Sequence, residues 1–328
     1  MTIQLTKVHG SDNDFFIFDV TQLATPLTEA QLSQVAQHLT DRETGLAGGA
    51  DGVLVVDHSQ HAGVAGKMRV INADGSEASM CGNGIRTVAR YLSEKTDQTA
   101  FKIETMYADL AVQQAPEIAT GIATYQAEIS PVCFGAQELG LTLPDVTSLR
   151  HKRLPSLSKT LYFTAVAVPN PHLISFVDHE TLLGPELGRI AGYLNNGTNT
   201  IFPDGVNVTF VEVLGQNHIF ARTFERGVGF TNACGTGMSA ASLIYVLEQG
   251  GIAEKPITVR NPGGMVQTIV HQKADGAYWM DLIGNATFVG TVELTLDQLL
   301  TAPVDQLTLQ ETGEQTTYRQ FVAQLAEA

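Results

Sequence analysis

Between positions 28 and 41 the apolar residues fall at Leu32, Val35, Ala36 and Leu39, the three-and-four spacing of one helical face. Thr28, followed three residues later by Gln31, has the pattern of a capping box, so a helix is predicted over this stretch. The segment Ile3 to Val20 carries apolar runs on either side of Gly-Ser-Asp-Asn-Asp and reads as strand, tight loop, strand. GGADGVLVVD reads as a glycine-rich turn feeding a buried strand, and residues 67–72 as another strand. After ADGSEASMCGNG, Ile85, Val88, Ala89 and Leu92 again mark one helical face, which puts Cys81 just before a helix start.

Further along, residues 101–130 are rich in strand-forming stretches, and LYFTAVAVPNPHLISFVD reads as two strands around a Pro-Asn-Pro-His turn. GVNVTFVEVLGQNHIFARTFERG alternates like a hairpin turning at Gly215-Gln216-Asn217. It leads into NACGTGMSAASLIYVLEQGG, a helix that should begin just after Cys234 and stop near Gly250-Gly251. Strands are predicted at 257–260, 265–271 and 277–283, and the Gln-rich tail from Leu300 as a C-terminal helix or a loosely attached extension.

CGNGIRTVARYL at 81 and CGTGMSAASLIYVL at 234 are two versions of one pattern, Cys-Gly-x-Gly opening an apolar helix. A repeat spanning nearly half the chain suggests a duplicated α/β unit with a central helix, rather than a solenoid of short repeats. A pseudo-two-fold would let both helix starts face one cleft.

The chain of 328 residues is long enough for two domains, and with 44% hydrophobic and 16% charged residues it should be soluble and globular. A net charge of -15 argues against nucleic-acid and membrane partners. The opening MTIQLTKVHG has no basic segment followed by an apolar run, no 18-residue apolar run occurs, and three cysteines, 81, 133 and 234, form no complete disulfide framework and no CxxC-type metal spacing. Free thiols in the cytoplasm are the simplest reading. No metal site is expected.

A helix start offers unpaired N–H groups and a partial positive charge, and glycines let a ligand approach the backbone. An amino-acid carboxylate suits such a place, and the same field favours thiolate over thiol. Two cysteines so placed, one thiolate and one thiol, form an acid/base pair that can invert a stereocentre without any cofactor, provided the developing charge is stabilised in a dry site. Cys133 lacks these surroundings and reads as structural. Asp74, Glu77 and Arg86 read as structural or solvated.

KVHGSDNDFFIFD, NADGSEASMCGNGIRTVARYL, PNPH and FERGVGFTNACGTGMSAA stand in an order that resembles the diaminopimelate epimerase family, within the two-cysteine racemases and epimerases. The resemblance covers positions 7 to about 290. It implies an α/β (α+β) fold of two pseudo-symmetric domains, each a mixed or antiparallel curved sheet around a central helix, with the active site in the interdomain cleft. It implies catalysis by Cys81 and Cys234, with His172 and Glu225 assisting the thiols. Asn13, Asn72, Asn170 and Asn207 would bind substrate, Glu225 and Arg226 its distal amino-acid end, and the backbones of Gly82, Asn83, Gly235 and Thr236 its reacting carboxylate. A homodimer is implied in the same way. Asp12 departs from the family, whose motif has glycine there, as does Val168-Pro169 before Asn170-Pro171-His172.

The expected domains are 1–128 with about 288–300, then 129–287, with 301–328 as an extension. The expected reaction interconverts LL- and meso-diaminopimelate, a small amino-acid substrate, in the formation of lysine and peptidoglycan precursors. Two alternatives stay open at this stage: a racemase of another amino acid, such as histidine, using the same two thiols, or a non-catalytic amino-acid-binding or thiol redox protein.

Overall fold

The chain is described by a computed structural model covering residues 2–327, with side chains to residue 325. It divides into two compact units, one running up to Ala127 and resuming from Ile283, the other spanning Glu128–Leu282.

In the first unit the strand Thr2–Gly10 pairs antiparallel with Asn13–Asp19 on one side and with Thr287–Thr295 on the other. Asn13–Asp19 then pairs parallel with Gly52–Asp57, which pairs antiparallel with Gly66–Asn72. Gly66–Asn72 pairs parallel with Ala100–Glu104, and Asp109–Ala115 and Thr124–Ile129 follow antiparallel. Phe15, Ile17, Leu54 and Val56 pack with Ile85, Val88, Ala89 and Leu92 of the helix Gly82–Thr96. Their neighbours Phe16, Phe18, Val53 and Val55 pack with Leu32, Val35, Ala36 and Leu39 of the helix Glu29–Thr40. Successive strand residues point to opposite faces, so a sheet covered on both faces needs continuous apolar runs, and FFIF and VLVV are such runs. The capping box forms as read: Gln31 N–H donates to Thr28 Oγ1 at 3.3 Å, and Thr28 N–H to Gln31 Oε1 at 2.9 Å.

The second unit repeats this pairing scheme. Tyr162–Ala167 and Pro171–Phe176 are antiparallel, Asn207–Gly215 joins in parallel, His218–Glu225 antiparallel, Ile257–Asn261 parallel and Gly264–Gln272 antiparallel. The alternation of antiparallel and parallel neighbours matches the first unit strand for strand, and the helix Gly235–Glu248 holds the place of Gly82–Thr96. Gly235 through Tyr245 are all buried, as an all-round apolar helix requires. Leu182, Leu187, Ile190 and Leu194 cover the other face of the sheet, joined by Leu139, Leu141, Leu149, Leu154 and Leu157 from the irregular segment before the first strands. The leucines of that segment are core rather than loop.

The tail forms the helix Glu314–Glu327 in the first unit, with Tyr318 fully buried and Glu314 accepting from both Nη atoms of Arg90 at 2.7 and 2.8 Å. Among the described residues no helix is long and apolar enough to cross a membrane.

Gly10, at the end of the first strand, has no room for a side chain: a Cβ there would lie 2.9 Å from Arg86 Nη2 and 3.0 Å from Asn83 O. Gly10→Ala is expected to cost ~1–3 kcal/mol through overpacking, read from the shift of the urea unfolding midpoint. An unchanged midpoint would show that the Arg86 pocket is looser than described.

Candidate active site

Cys81 is the residue that caps the helix Gly82–Thr96. Its backbone is extended (φ -135°, ψ 113°), and its sulfur accepts the Gly84 N–H at 3.3 Å, satisfying one of the helix's leading amides. The thiol lies 3.6 Å from Asn13 Oδ1, which also accepts from Asn83 Nδ2 at 3.2 Å. Asn13 opens its strand after a two-residue turn, Ser11-Asp12, both with left-handed φ (54° and 60°), the requirement of the tight hairpin turns that match strand twist. Glycine would take that conformation more readily; aspartate tolerates it. The Asn13 amide is oriented from the other side, where Nδ2 donates to Asp51 Oδ2 at 2.6 Å. A carboxylate only accepts, so the Asn13 carbonyl must face the sulfur. Burial and the neighbouring Asp14 push the Asp51 carboxyl above its ordinary range.

Asn13, Cys81, Gly82 and Asn83 therefore form one cluster. Asn72 is turned elsewhere: its Nδ2 donates to Ser76 Oγ at 3.0 Å, inside the turn that follows its strand. Asp51 was not singled out in the sequence, where an aspartate between Ala50 and Gly52 looks like ordinary turn chemistry.

In the second unit Cys234 occupies the matching position at the start of Gly235–Glu248 (φ -107°, ψ 105°), 3.6 Å from Thr236 Oγ1. Burial pushes this thiol well above its ordinary range and the Glu225 carboxylate adds to the effect; the Thr236 hydroxyl and Gly237 amide oppose it only in part. Glu225 closes the strand His218–Glu225, and its Oε1 accepts from Thr231 Oγ1 at 2.5 Å. Thr231 also escaped the sequence reading, which offers no signal for it beyond proximity.

His172 lies completely buried on the strand Pro171–Phe176, with Nε2 3.1 Å from Asn170 Oδ1 and 3.0 Å from Thr236 Oγ1. With the Asn170 carbonyl as acceptor, Nε2 carries the ring proton and Thr236 is left free to turn its hydroxyl hydrogen toward the Cys234 sulfur. His172 thus reaches the cysteine through Thr236. Burial, and secondly Arg226, pull its pKa down to about 3, so the ring is neutral near pH 7. Asn207 stands opposite His172 in the parallel register, and its Oδ1 accepts the Arg226 N–H at 2.8 Å. The Arg226 side chain donates from Nη1 to Asp204 O at 3.1 Å. Asn170, His172, Asn207, Glu225, Arg226, Cys234, Gly235 and Thr236 are thus gathered into one neighbourhood of this unit. Cys133 sits apart in a backbone bridge with Ala167, at the edge of the core. Among the described residues no three His, Cys, Asp or Glu side chains are grouped to hold a metal ion.

Solved structures with this fold include a hydroxyproline epimerase from Agrobacterium vitis (TM-score 0.59, 16% identity, 90% of this chain and 93% of that one). A phenazine biosynthesis protein of the PhzF family from Bacillus anthracis also matches (TM-score 0.62, 16% identity, 90% and 100%). The fold is therefore that of the two-domain racemases and epimerases. Within it the chain belongs to the diaminopimelate epimerase family, whose profile matches residues 5–124 and 164–289. Curated diaminopimelate epimerases of Ligilactobacillus salivarius, Lactiplantibacillus plantarum and Enterococcus faecalis are 61%, 58% and 54% identical, covering 98%, 100% and 100% of this chain and 99%, 100% and 100% of theirs.

A histidine whose folded pKa lies near 3 rather than near 6.5 contributes stability that is complete above pH 6.5 and is lost as pH falls toward 3, because the unfolded chain takes up the proton first. His172→Gln should therefore flatten the fall of stability between pH 6.5 and 4 by up to ~1.4 kcal/mol per pH unit. Urea titrations of both proteins across that range check it; parallel curves would place the His172 pKa near its ordinary value.

Proposed function

We infer that this chain interconverts LL- and meso-diaminopimelate by moving one proton at the α-carbon between Cys81 and Cys234. The observation that carries the reading is that each unit starts a helix at a cysteine whose sulfur faces a polar side chain, Asn13 beside Cys81 and Thr236 beside Cys234. A lone cysteine of this kind is ordinary; two at matching places in a duplicated fold supply the two faces that inversion requires.

In one direction the thiolate of one cysteine takes the α-proton, and the electron pair left on carbon delocalises into the substrate carboxylate. The other cysteine's S–H then delivers its proton to the opposite face. At the end one sulfur has gained a proton and the other has lost one, so the enzyme is poised for the reverse reaction. The amides of Gly82, Asn83, Gly235 and Thr236 hold the carboxylate at the positive ends of the two helices, where developing negative charge is best stabilised. Thr236, held by His172, and Glu225 tune the Cys234 side. Asn13, Asn170 and Asn207 orient the reacting amino-acid group. Asn72 joins them by exchanging its Ser76 bond for substrate, and Glu225 and Arg226 hold the distal amino-acid head, where the planar guanidinium suits a carboxylate.

No cofactor enters this chemistry. The proposal extends to a homodimer, on family membership alone, and to a cytoplasmic location, on the three free thiols.

Freshly reduced protein incubated with LL-diaminopimelate in deuterated water should form the meso isomer with deuterium at the inverted carbon. Cys81→Ser and Cys234→Ser should each lower turnover by at least ~10³-fold. Exchange that survives in both variants would remove the two-thiol mechanism, and no exchange by folded, reduced wild type would remove this substrate.

A further inference from the structure

Arg86 is the bulkiest fully buried side chain among the described residues. A guanidinium keeps its charge in almost any surroundings, so burying one is costly unless a negative group answers it. Other arginines of this unit are answered: Arg42, Arg69 and Arg90 each pair with two carboxylates. Arg86 has no carboxylate among the described residues within ion-pair distance. It donates only to neutral oxygens, Gly82 O at 2.9 Å, Asn83 Oδ1 at 3.2 Å and Asn285 O at 3.3 Å. Burial pulls its pKa down to about 10, with Cys81 and Tyr318 pulling the other way, so it remains a cation at neutral pH.

Its neutral partners lead to one place. Arg86 donates to Asn83 Oδ1, Asn83 donates to Asn13 Oδ1, and the same oxygen faces the Cys81 sulfur. Gly10 clears the space that the guanidinium fills. The matching position of the second helix, five residues after its cysteine, is Ser239, whose hydroxyl donates to Gly235 O at 3.0 Å just as Arg86 donates to Gly82 O. The hydrogen bond is common to both units; the charge belongs to one.

We propose that Arg86 is a positioning residue for Cys81: its unanswered charge, fixed behind the Asn83–Asn13 amide pair, is the counter-charge against which the Cys81 sulfur gives up its proton. The proposal rests on Cys81 being an acid/base group. The remaining charged groups near the cluster do not supply this. Asp51, bonded by Asn13, and Asp14 oppose a thiolate, and Arg42 and Lys7 are engaged with those carboxylates or with backbone carbonyls. Tyr318 adjoins Arg86, with His9 stacked edge-on against it at 4.7 Å and Asp12 beside His9. Once the S–H donated to Asn13 is lost, the Gly84 N–H and the field of Arg86 both favour the anion.

The test follows the pH dependence of iodoacetamide alkylation at each cysteine, resolved by peptide mass spectrometry, in wild type, Arg86→Gln and Arg86→Lys. Gln keeps hydrogen bonding and loses the charge; Lys keeps the charge. Arg86→Gln should raise the Cys81 midpoint by about one pH unit or more, with Cys133 unmoved, and lower kcat for LL-diaminopimelate about tenfold or more. Arg86→Lys should leave the Cys81 midpoint within a few tenths of a unit. An unmoved Cys81 in Arg86→Gln, or a Lys variant whose Cys81 midpoint rises by a unit, overturns the proposal, and the Lys arm decides alone if Gln does not fold. A shifted Cys81 midpoint in a protein that never turns over diaminopimelate would sustain the role of Arg86 and remove the substrate.

Discussion

Everything in either unit is arranged around a helix that begins inside protein rather than at its surface. The leading N–H groups of such a helix have no partners of their own, and burial forbids water from serving. In the first unit part of that demand is met by the Cys81 sulfur, which accepts from Gly84. The positive end of such a helix is a place where an anion is welcome. Apolar runs, glycines and flanking asparagines all follow from having to bring a sheet against that point on both of its faces.

The duplication preserved the framework and released the side chains. Strand order and direction correspond between units, and so do the cysteines. The polar groups beside them do not: Asn83 and Arg86 in one helix stand where Thr236 and Ser239 stand in the other, and Phe15 occupies the place of His172. The sulfurs consequently live in different fields, Cys81 near a buried cation and Cys234 buried beside the Glu225 carboxylate. One fold thus places its two thiols in unequal surroundings.

Much of this was legible in the sequence because it is periodic or repeated. The spacing of Leu32 to Leu39 and of Ile85 to Leu92 gave two helices, and the twin Cys-Gly-x-Gly stretches gave the helix starts at Cys81 and Cys234. What was not legible lies in non-local geometry. Nothing along the chain says that Asp51 orients Asn13, that Asn72 folds into its own turn, or that Thr236 stands between His172 and Cys234. Arg86 is the sharpest case, since an arginine on an amphipathic helix ordinarily reaches solvent. Its burial depends on Gly10, Asn285 and Tyr318, brought in from three distant stretches of chain.

The same long reach bears on synthesis. Thr2 pairs with Thr295 and His9 with Thr287, so the first sheet lacks a strand until residues 287–295 have been synthesised, whereas the second unit is continuous. The later half can be complete while the earlier half still waits. Asn285 and Tyr318, which close around Arg86, arrive only after the second unit. A nascent chain that stops short of these residues lacks the groups that close around Arg86 behind Cys81.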